Sequence, residues 1–368
     1  MRVAVPKETR PGEKRVALVP DIISKLTKAG LDVTIESGAG VAADFSDAQF
    51  AAAGATIREG DVTSDADVIL SVQPLTPPEI ALLKRGAITI SFLSPTMAID
   101  SIEAAVAAGI TALSLELVPR ISRAQSMDAL TSQALCAGYK AALVGAELSP
   151  RFFPLLMTAA GTVTPAKVVV LGAGVAGLQA IATSKRLGAV VSAYDVRPAS
   201  ADEVKSMGAK FISLELEALE GAGGYAREMT DDRAARQREL LTPYIAAANV
   251  LITTAAVPGR AAPRLVTAEM VAEMAPGSIV VDLAAESGGN VEGSKPGEII
   301  VTSKGVRIWG GKDVPSQLAY HASMLYSRNV VNLLLLMVKD GIVVPNFEDE
   351  IIEAATVTMN GENRKGVK

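Results

Sequence analysis

The sequence predicts an α/β protein made of two Rossmann-like, doubly wound parallel-sheet domains joined by long helices, with the first domain discontinuous. Three observations point there. Short β-branched runs alternate with helical patterns almost throughout, as expected for a parallel sheet covered by helices on both faces. The chain has 368 residues, more than one hydrophobic core comfortably serves. A glycine-rich turn follows an apolar strand near mid-chain, where the alternation starts afresh.

Taken in order, residues 2–5 read as a strand, 21–29 as a helix ended by Gly30, and 32–36 as a strand. A helix at 47–53, a strand at 68–72, a helix at 78–85 and a strand at 87–92 follow. The helix at 99–108 closes on Gly109 before a strand at 111–117. Glycine ends a helix there because it takes the left-handed conformation at little cost. Residues 119–128 (PRISRAQSMD) have no steady apolar period, and 129–147 form a long helix. After the Pro- and Gly-containing stretch 150–165, strands recur from 167 through 190–195, 210–213, 250–254 and 278–283 to about residue 309. A long helix over 315–339 and a short extended tail finish the chain. We assign 1–128, completed by 318–368, to the first domain, and 129–317, with the connecting helices, to the second.

Composition excludes several functions. Hydrophobic residues make up 49% and charged residues 20%, so the chain is globular rather than disordered. A net charge of −5 with interspersed signs does not suit a nucleic-acid surface. One cysteine, Cys136, and one histidine, His321, rule out a disulfide framework and a Cys/His zinc set. A carboxylate-only divalent site stays open, but no metal is assigned. The strongest apolar run, 330–338, is about half of the ~20 residues a spanning helix needs. The N-terminal MRVAVPKETR lacks the apolar block of a signal peptide. We expect a cytoplasmic chain without direct membrane insertion.

The clearest motif is VVVLGAGVAG at 168–177. Gly172, Gly174 and Gly177 keep the G-x-G-x-x-G spacing between a strand and a helix. The first glycine allows the tight turn, the second lets the backbone approach a pyrophosphate, and the third lets helix pack on strand. Helical residues follow from Leu178, and the helix N-terminus, reached through Val175 and Ala176, offers free N–H groups and a dipole that suit phosphate. The next strand ends in Asp195, 18 residues past Gly177, close to the ~20 expected of the carboxylate that binds the adenosine ribose. Asp195 repels a 2′-phosphate, so the cofactor is expected to be NAD(H). Val196 and Arg197 follow, and Arg197 would weaken that exclusion if it turned inward. Thr253, Thr254 and Ala255 end a later strand, at the edge where cofactors sit. Glycines serving packing alone would also give the spacing, but not the acidic residue.

A dehydrogenase acting on an alcohol or amine moves a proton with the hydride, which calls for an acid or base near the substrate. His321 lies in the helical run SQLAYHASMLYSRN, where a packed or surface histidine is the plainer reading. Hydride transfer between two nicotinamide rings needs only proximity and orientation.

The opening MRVAVPKETRPGEKRVALVP resembles the family of alanine dehydrogenase and the NAD(H)-binding component of proton-translocating transhydrogenase. PRISRAQSMD, MTAAGTV, GGYAREM, PGSIVVDLAAESGGN and VPSQLAYHAS resemble the transhydrogenase branch, nearly end to end. Arg15 matches the substrate-carboxylate arginine of alanine dehydrogenase, but its catalytic lysine is replaced near Gln73. Its catalytic histidine falls in SFLSPT, which has none, and Glu286 stands where it carries an aspartate.

The resemblance implies that Arg120, Gln125 and Asp128 form a loop against the nicotinamide. Asp128 would hold the carboxamide, Arg120 would support loop and ring, and Gln125 would reach toward NADP(H) on a partner subunit. Thr131 replaces the family's serine and keeps its hydroxyl. Tyr225 matches a mobile loop that folds over bound nucleotide, and Glu286 lies in a segment lining the crevice. The implied function is direct hydride transfer between NADH here and NADP⁺ on a partner, coupled to proton translocation. The implied assembly is a homodimer held to the cytoplasmic face of the inner membrane by NADP(H)-binding and membrane-embedded subunits. The alternatives are an NAD-dependent alanine or other amino-acid dehydrogenase using Arg15, and a non-catalytic NAD-binding redox sensor.

Overall fold

The computed structural model describes residues 1–215, 231–256 and 260–366. The chain divides into two compact units, Met1–Gln133 with Pro315–Lys368, and Ala134–Val314. Both are α/β units built on a mainly parallel sheet.

In the first unit the strands lie in the order 362–363, 356–359, 111–114, 88–91, 68–70, 2–5, 32–36 and 56–58. The six from 2–5 to 111–114 are parallel, joined in succession by five crossovers. The four central strands, 2–5, 68–70, 88–91 and 111–114, are almost continuously buried, as a sheet covered on both faces requires. Helix Ala319–Leu336 crosses this core with Tyr326, Val330, Val331, Leu333 and Leu334 fully buried. Each such large apolar side chain contributes roughly 1.5–3 kcal/mol.

Three details depart from the pattern read in the sequence. The strand expected at 111–117 stops at Ser114. There Leu115–Leu117 winds into a 3₁₀ turn, and Glu116 turns back to accept the Leu93 and Ser94 N–H groups at 3.0 and 2.9 Å. The tail is not simply extended. Asp349 caps helix Glu350–Ala355, and strand Thr356–Met359 then pairs antiparallel with Thr111–Ser114. Six residues are too few to display a helical period. Strand Thr56–Arg58, also unexpected, is only three residues long.

In the second unit the order is 210–211, 190–194, 167–171, 250–253, 279–282, 307–310 and 299–301, all parallel but the last. Val168 and Val170 pack into the core on one face of this sheet, and Val169 and Leu171 into the core on the other. Strand Lys167–Leu171 lies between Val190–Tyr194 and Val250–Thr253. The winding reverses there, which opens a crevice beyond the carboxyl ends of those strands. Helix Asp231–Ala246 runs through Pro243. The stretch 150–165 contains a hairpin, Leu156–Thr158 against Gly161–Val163. Among the described residues no helix is long and apolar enough to cross a membrane.

Candidate functional site

At the switch point of the second unit, strand Lys167–Leu171 runs into Gly172, whose φ of 98° is the left-handed region that favours glycine. A Cβ at Gly172 would stand 2.6 Å from Thr254 Oγ1, and one at Gly177 only 1.9 Å from the Gly172 carbonyl oxygen. Those two glycines are demanded by the protein's own packing. Gly174, at the cap of helix Val175–Arg186, is different: a Cβ there would meet nothing within 4 Å. Its glycine leaves free space beside the first helical N–H groups, including those of Val175 and Ala176. That geometry fits a phosphate-bearing ligand.

Asp195 ends the neighbouring strand beside this turn. Its carboxylate accepts the Ala173 N–H at 2.7 Å, the Arg197 N–H at 2.9 Å, and Arg197 Nε and Nη2 at 2.9 and 2.8 Å. Burial pushes its pKa up, but the Arg197 pair and the two backbone N–H groups outweigh burial and hold it below the usual carboxylate range. Asp195 is therefore charged, and Arg197 is folded onto it. Val196, between them, packs partly buried against the sheet's core.

On the other side of the switch, Thr254 Oγ1 donates to the Gly172 carbonyl at 3.0 Å. Thr253 is fully buried and its hydroxyl donates to Asp282 at 3.0 Å, so its side chain turns onto the neighbouring strand instead of into the crevice. Asn290 Oδ1 accepts the Ala255 N–H at 3.0 Å, while its Nδ2 donates to the Ala255 and Pro263 carbonyls at 2.8 and 2.9 Å. Glu286 accepts the Asp313 N–H at 3.0 Å. Tyr225 lies outside the described residues.

Arg120, Gln125, Asp128 and Thr131 belong to the first unit. Asp128 precedes helix Ala129–Leu148, accepting the Thr131 N–H at 2.8 Å and the Thr131 hydroxyl at 2.6 Å. This caps the helix in the usual way of an aspartate. Gln125 sits exposed in the 3₁₀ turn Ser122–Met127, and Arg120 is exposed just before it. Two asparagines one helical turn apart fix that turn, for Asn329 and Asn332 both donate to the Ser126 carbonyl, at 3.0 and 3.1 Å. Arg123 adds an ion pair to Asp349 at 2.6 Å. Composition and spacing gave no sign of these anchors, which come from residues more than 200 positions away.

Arg15 is buried, and each of its three side-chain nitrogens donates within the first unit. Nε and Nη2 bind Glu13 at 2.8 and 2.6 Å, and Nη1 binds Gln133 at 2.9 Å. Gln73 accepts from Arg10 at 2.8 Å and donates to Glu13 at 2.7 Å. Glu13 also accepts from Ser316 at 2.5 Å. Burial pushes Glu13 up, but Arg15, Gln73 and Ser316 together pull it down to about 2. His321 is exposed and stands edge-on to Tyr320.

Comparison with known proteins agrees with this geometry. Residues 4–137 match the family model described as the alanine dehydrogenase/PNT N-terminal domain, and residues 141–365 the corresponding C-terminal domain. The chain is 48% identical over 373 residues to an NAD(P) transhydrogenase subunit alpha protein of Rhodospirillum rubrum, covering 98% of this chain and 97% of that protein. The solved structure of a transhydrogenase from Sinorhizobium meliloti superposes with a TM-score of 0.87 at 43% identity, covering 99% of this chain and 98% of that one. An L-alanine dehydrogenase structure gives 0.82 at 26% identity, covering 99% and 96%.

Proposed function

The chain belongs to the alanine dehydrogenase/PNT family, and on that footing we propose that it is the NAD(H)-binding component of a proton-translocating transhydrogenase. In this reading hydride passes directly between NADH held here and NADP⁺ held by a partner subunit. The observation that carries it is the pairing of Arg15 with Glu13 and Gln133, with Gln73 beside them. An amino-acid dehydrogenase would need that guanidinium for a substrate carboxylate and an acid or base nearby. An arginine already paired to a carboxylate and an amide offers that substrate carboxylate no free partner, whereas ring-to-ring transfer needs none.

NADH supplies the hydride. The chain's residues bind and orient it. Gly174 and the helix start carrying Val175 and Ala176 receive the pyrophosphate, and Asp195, with Val196 and Arg197, receives the adenosine ribose. Thr254 and Ala255 line the crevice edge. Arg120, Gln125, Asp128 and Thr131 are assigned to the nicotinamide end, where Asp128 would accept from the carboxamide and exposed Gln125 would face the partner's nucleotide. Glu286 and Tyr225 are assigned to nucleotide binding by resemblance.

A homodimer is supported by the exposed apolar side chains in and before the hairpin, Phe152 at 61%, Leu155 at 54% and Met157 at 80% exposure. Proton translocation and attachment to the membrane are assigned to partner subunits. One assay tests the proposal. Purified chain with NADH and NADP⁺ should turn over only when an NADP(H)-binding component is added, and should not reduce pyruvate with ammonium. Rapid pyruvate turnover by the chain alone would refute it.

A further inference from the structure

The nucleotide crevice rests on a buried polar relay that starts from Asp282 on the adjacent strand. Asp282 and Asn290 are both fully buried. The Asp282 carboxylate accepts the Thr253 hydroxyl at 3.0 Å and the backbone N–H groups of Ala284, Asn290 and Val291 at 3.0, 3.3 and 3.2 Å. This draws the loop after strand Ile279–Asp282 back against the strand that ends at Thr253. Asn290, held at its backbone by Asp282, grips both the N–H and the carbonyl of Ala255 with one carboxamide. Thr254, next to Ala255, binds the Gly172 carbonyl. The relay thus runs from Asp282 through Asn290, Ala255 and Thr254 to the glycine turn.

We propose that Asn290 is a positioning residue for nucleotide binding, setting the crevice edge at Ala255 and Thr254 against Gly172; this rests on the nucleotide reading above. A carboxamide is the one side-chain group that can accept from a backbone N–H and donate to two carbonyls at once. Buried as it is, each lost partner leaves an unsatisfied backbone group at the crevice edge.

The chemistry sets the test. Asn290→Asp keeps the shape and the acceptor, but its second oxygen faces the Ala255 and Pro263 carbonyls and can donate only when protonated. The titratable and charged groups around it are Asp282, which takes its backbone N–H, and Arg264, which donates to the Gly288 carbonyl at 3.3 Å. NADH dissociation constants are measured by fluorescence titration of the full chain from about pH 6 to about pH 9. Asn290→Ala should weaken NADH by about tenfold at every pH, with the protein still folded by circular dichroism. Asn290→Asp should approach the parent at the acid end and lose affinity progressively as pH rises. Equal weakening of Asn290→Asp across the range would mean that the position only supports the fold, and would overturn the inference. Parent-like affinity in both variants overturns the inference alone. Failure of the parent to bind NADH overturns the nucleotide reading, and this inference with it. Should Asn290→Ala fail to fold, the pH dependence of Asn290→Asp decides.

Discussion

Arg15 and Glu13, two residues apart, form a buried ion pair with Nη2 2.6 Å from Oε2. The pair also ties together the ends of the two stretches that make up the first unit. Arg15 donates to Gln133, the last residue of the first stretch, and Glu13 accepts from Ser316, the second residue of the other. A guanidinium taken from water is tolerated here because each of its nitrogens finds an oxygen.

Glu13→Gln should therefore be strongly destabilising. It keeps the volume and leaves Arg15 buried without its ion-pair partner, a loss of about 3–5 kcal/mol. Urea unfolding, compared with the parent, measures it. A change below about 1 kcal/mol would place the pair among ordinary surface ion pairs.

Asp195 and Arg197 make the second prediction. Asp195 is charged and takes both ends of the Arg197 guanidinium. Asp195→Ala removes the carboxylate that repels a 2′-phosphate and releases Arg197 to meet one. NADPH affinity should rise and the preference for NADH should fall by about tenfold or more, since charge-assisted bonds to phosphate are among the strong ones. Fluorescence titration with both nucleotides reads it. An unchanged preference would remove Asp195 from the ribose site.

Gln125 is exposed on a turn whose backbone is pinned at Ser126 by Asn329 and Asn332. Gln125→Asn should leave NADH binding nearly unchanged and slow transfer to the partner's nucleotide by ~100-fold, because it withdraws the amide by about an ångström. Transfer rates in a mixture with the NADP(H)-binding component give the answer. A large loss of NADH affinity would assign Gln125 to the NADH side instead.

Helix 129–148 carries a glycine that the alternation of apolar residues does not explain. A Cβ at Gly138 would stand 2.0 Å from the Ala176 carbonyl oxygen, in the first turn of the helix after the glycine turn. Gly138→Ala should cost about 1–3 kcal/mol of stability and weaken NADH binding by displacing that turn. Equilibrium unfolding and NADH titration of one preparation test both halves. Parent-like values would mean the helices part freely.

What the sequence made legible follows from the range of each interaction. The sheets declared themselves because Val168–Leu171 and its counterparts are local β-branched runs, and Gly172, Gly174, Gly177 and Asp195 keep a spacing that a reader can count. The supports of the crevice did not. Asp282 meets Thr253, Asn290 meets Ala255 and Pro263, and Gly138 meets Ala176, contacts 27 to 38 residues apart in sequence. The motif PGSIVVDLAAESGGN marks the segment of Asp282 and Asn290 without showing these contacts. The 3₁₀ turn at Leu115–Leu117 and the helix at Glu350–Ala355 are shorter than any period can reveal. Thr253 was readable as a strand end, but the turning of its hydroxyl onto Asp282 depends on the partner strand.

Glu8 supplies a prediction in pH. It is partly buried, and burial, with Glu13 nearby, pushes its pKa up to about 7 although the Val72 and Gln73 N–H groups pull the other way. Its ordinary value is 4.5, so the folded protein holds a proton that the unfolded chain has released between the two. A raised carboxyl contributes stability that is full below the unfolded value and is lost as pH rises through the folded one. Stability should therefore fall by about 3 kcal/mol from this group as pH climbs from about 4.5 to about 7. Glu13, pulled down to about 2, acts in a different window: its contribution is present above 4.5 and goes only as pH falls toward 2. The two therefore separate on the pH axis. Glu8→Gln cannot titrate, so its unfolding free energy should be flatter than the parent's between about pH 4.5 and about pH 7. Urea unfolding of both proteins across that range decides it, and parallel curves would show that Glu8 titrates as an ordinary surface carboxyl.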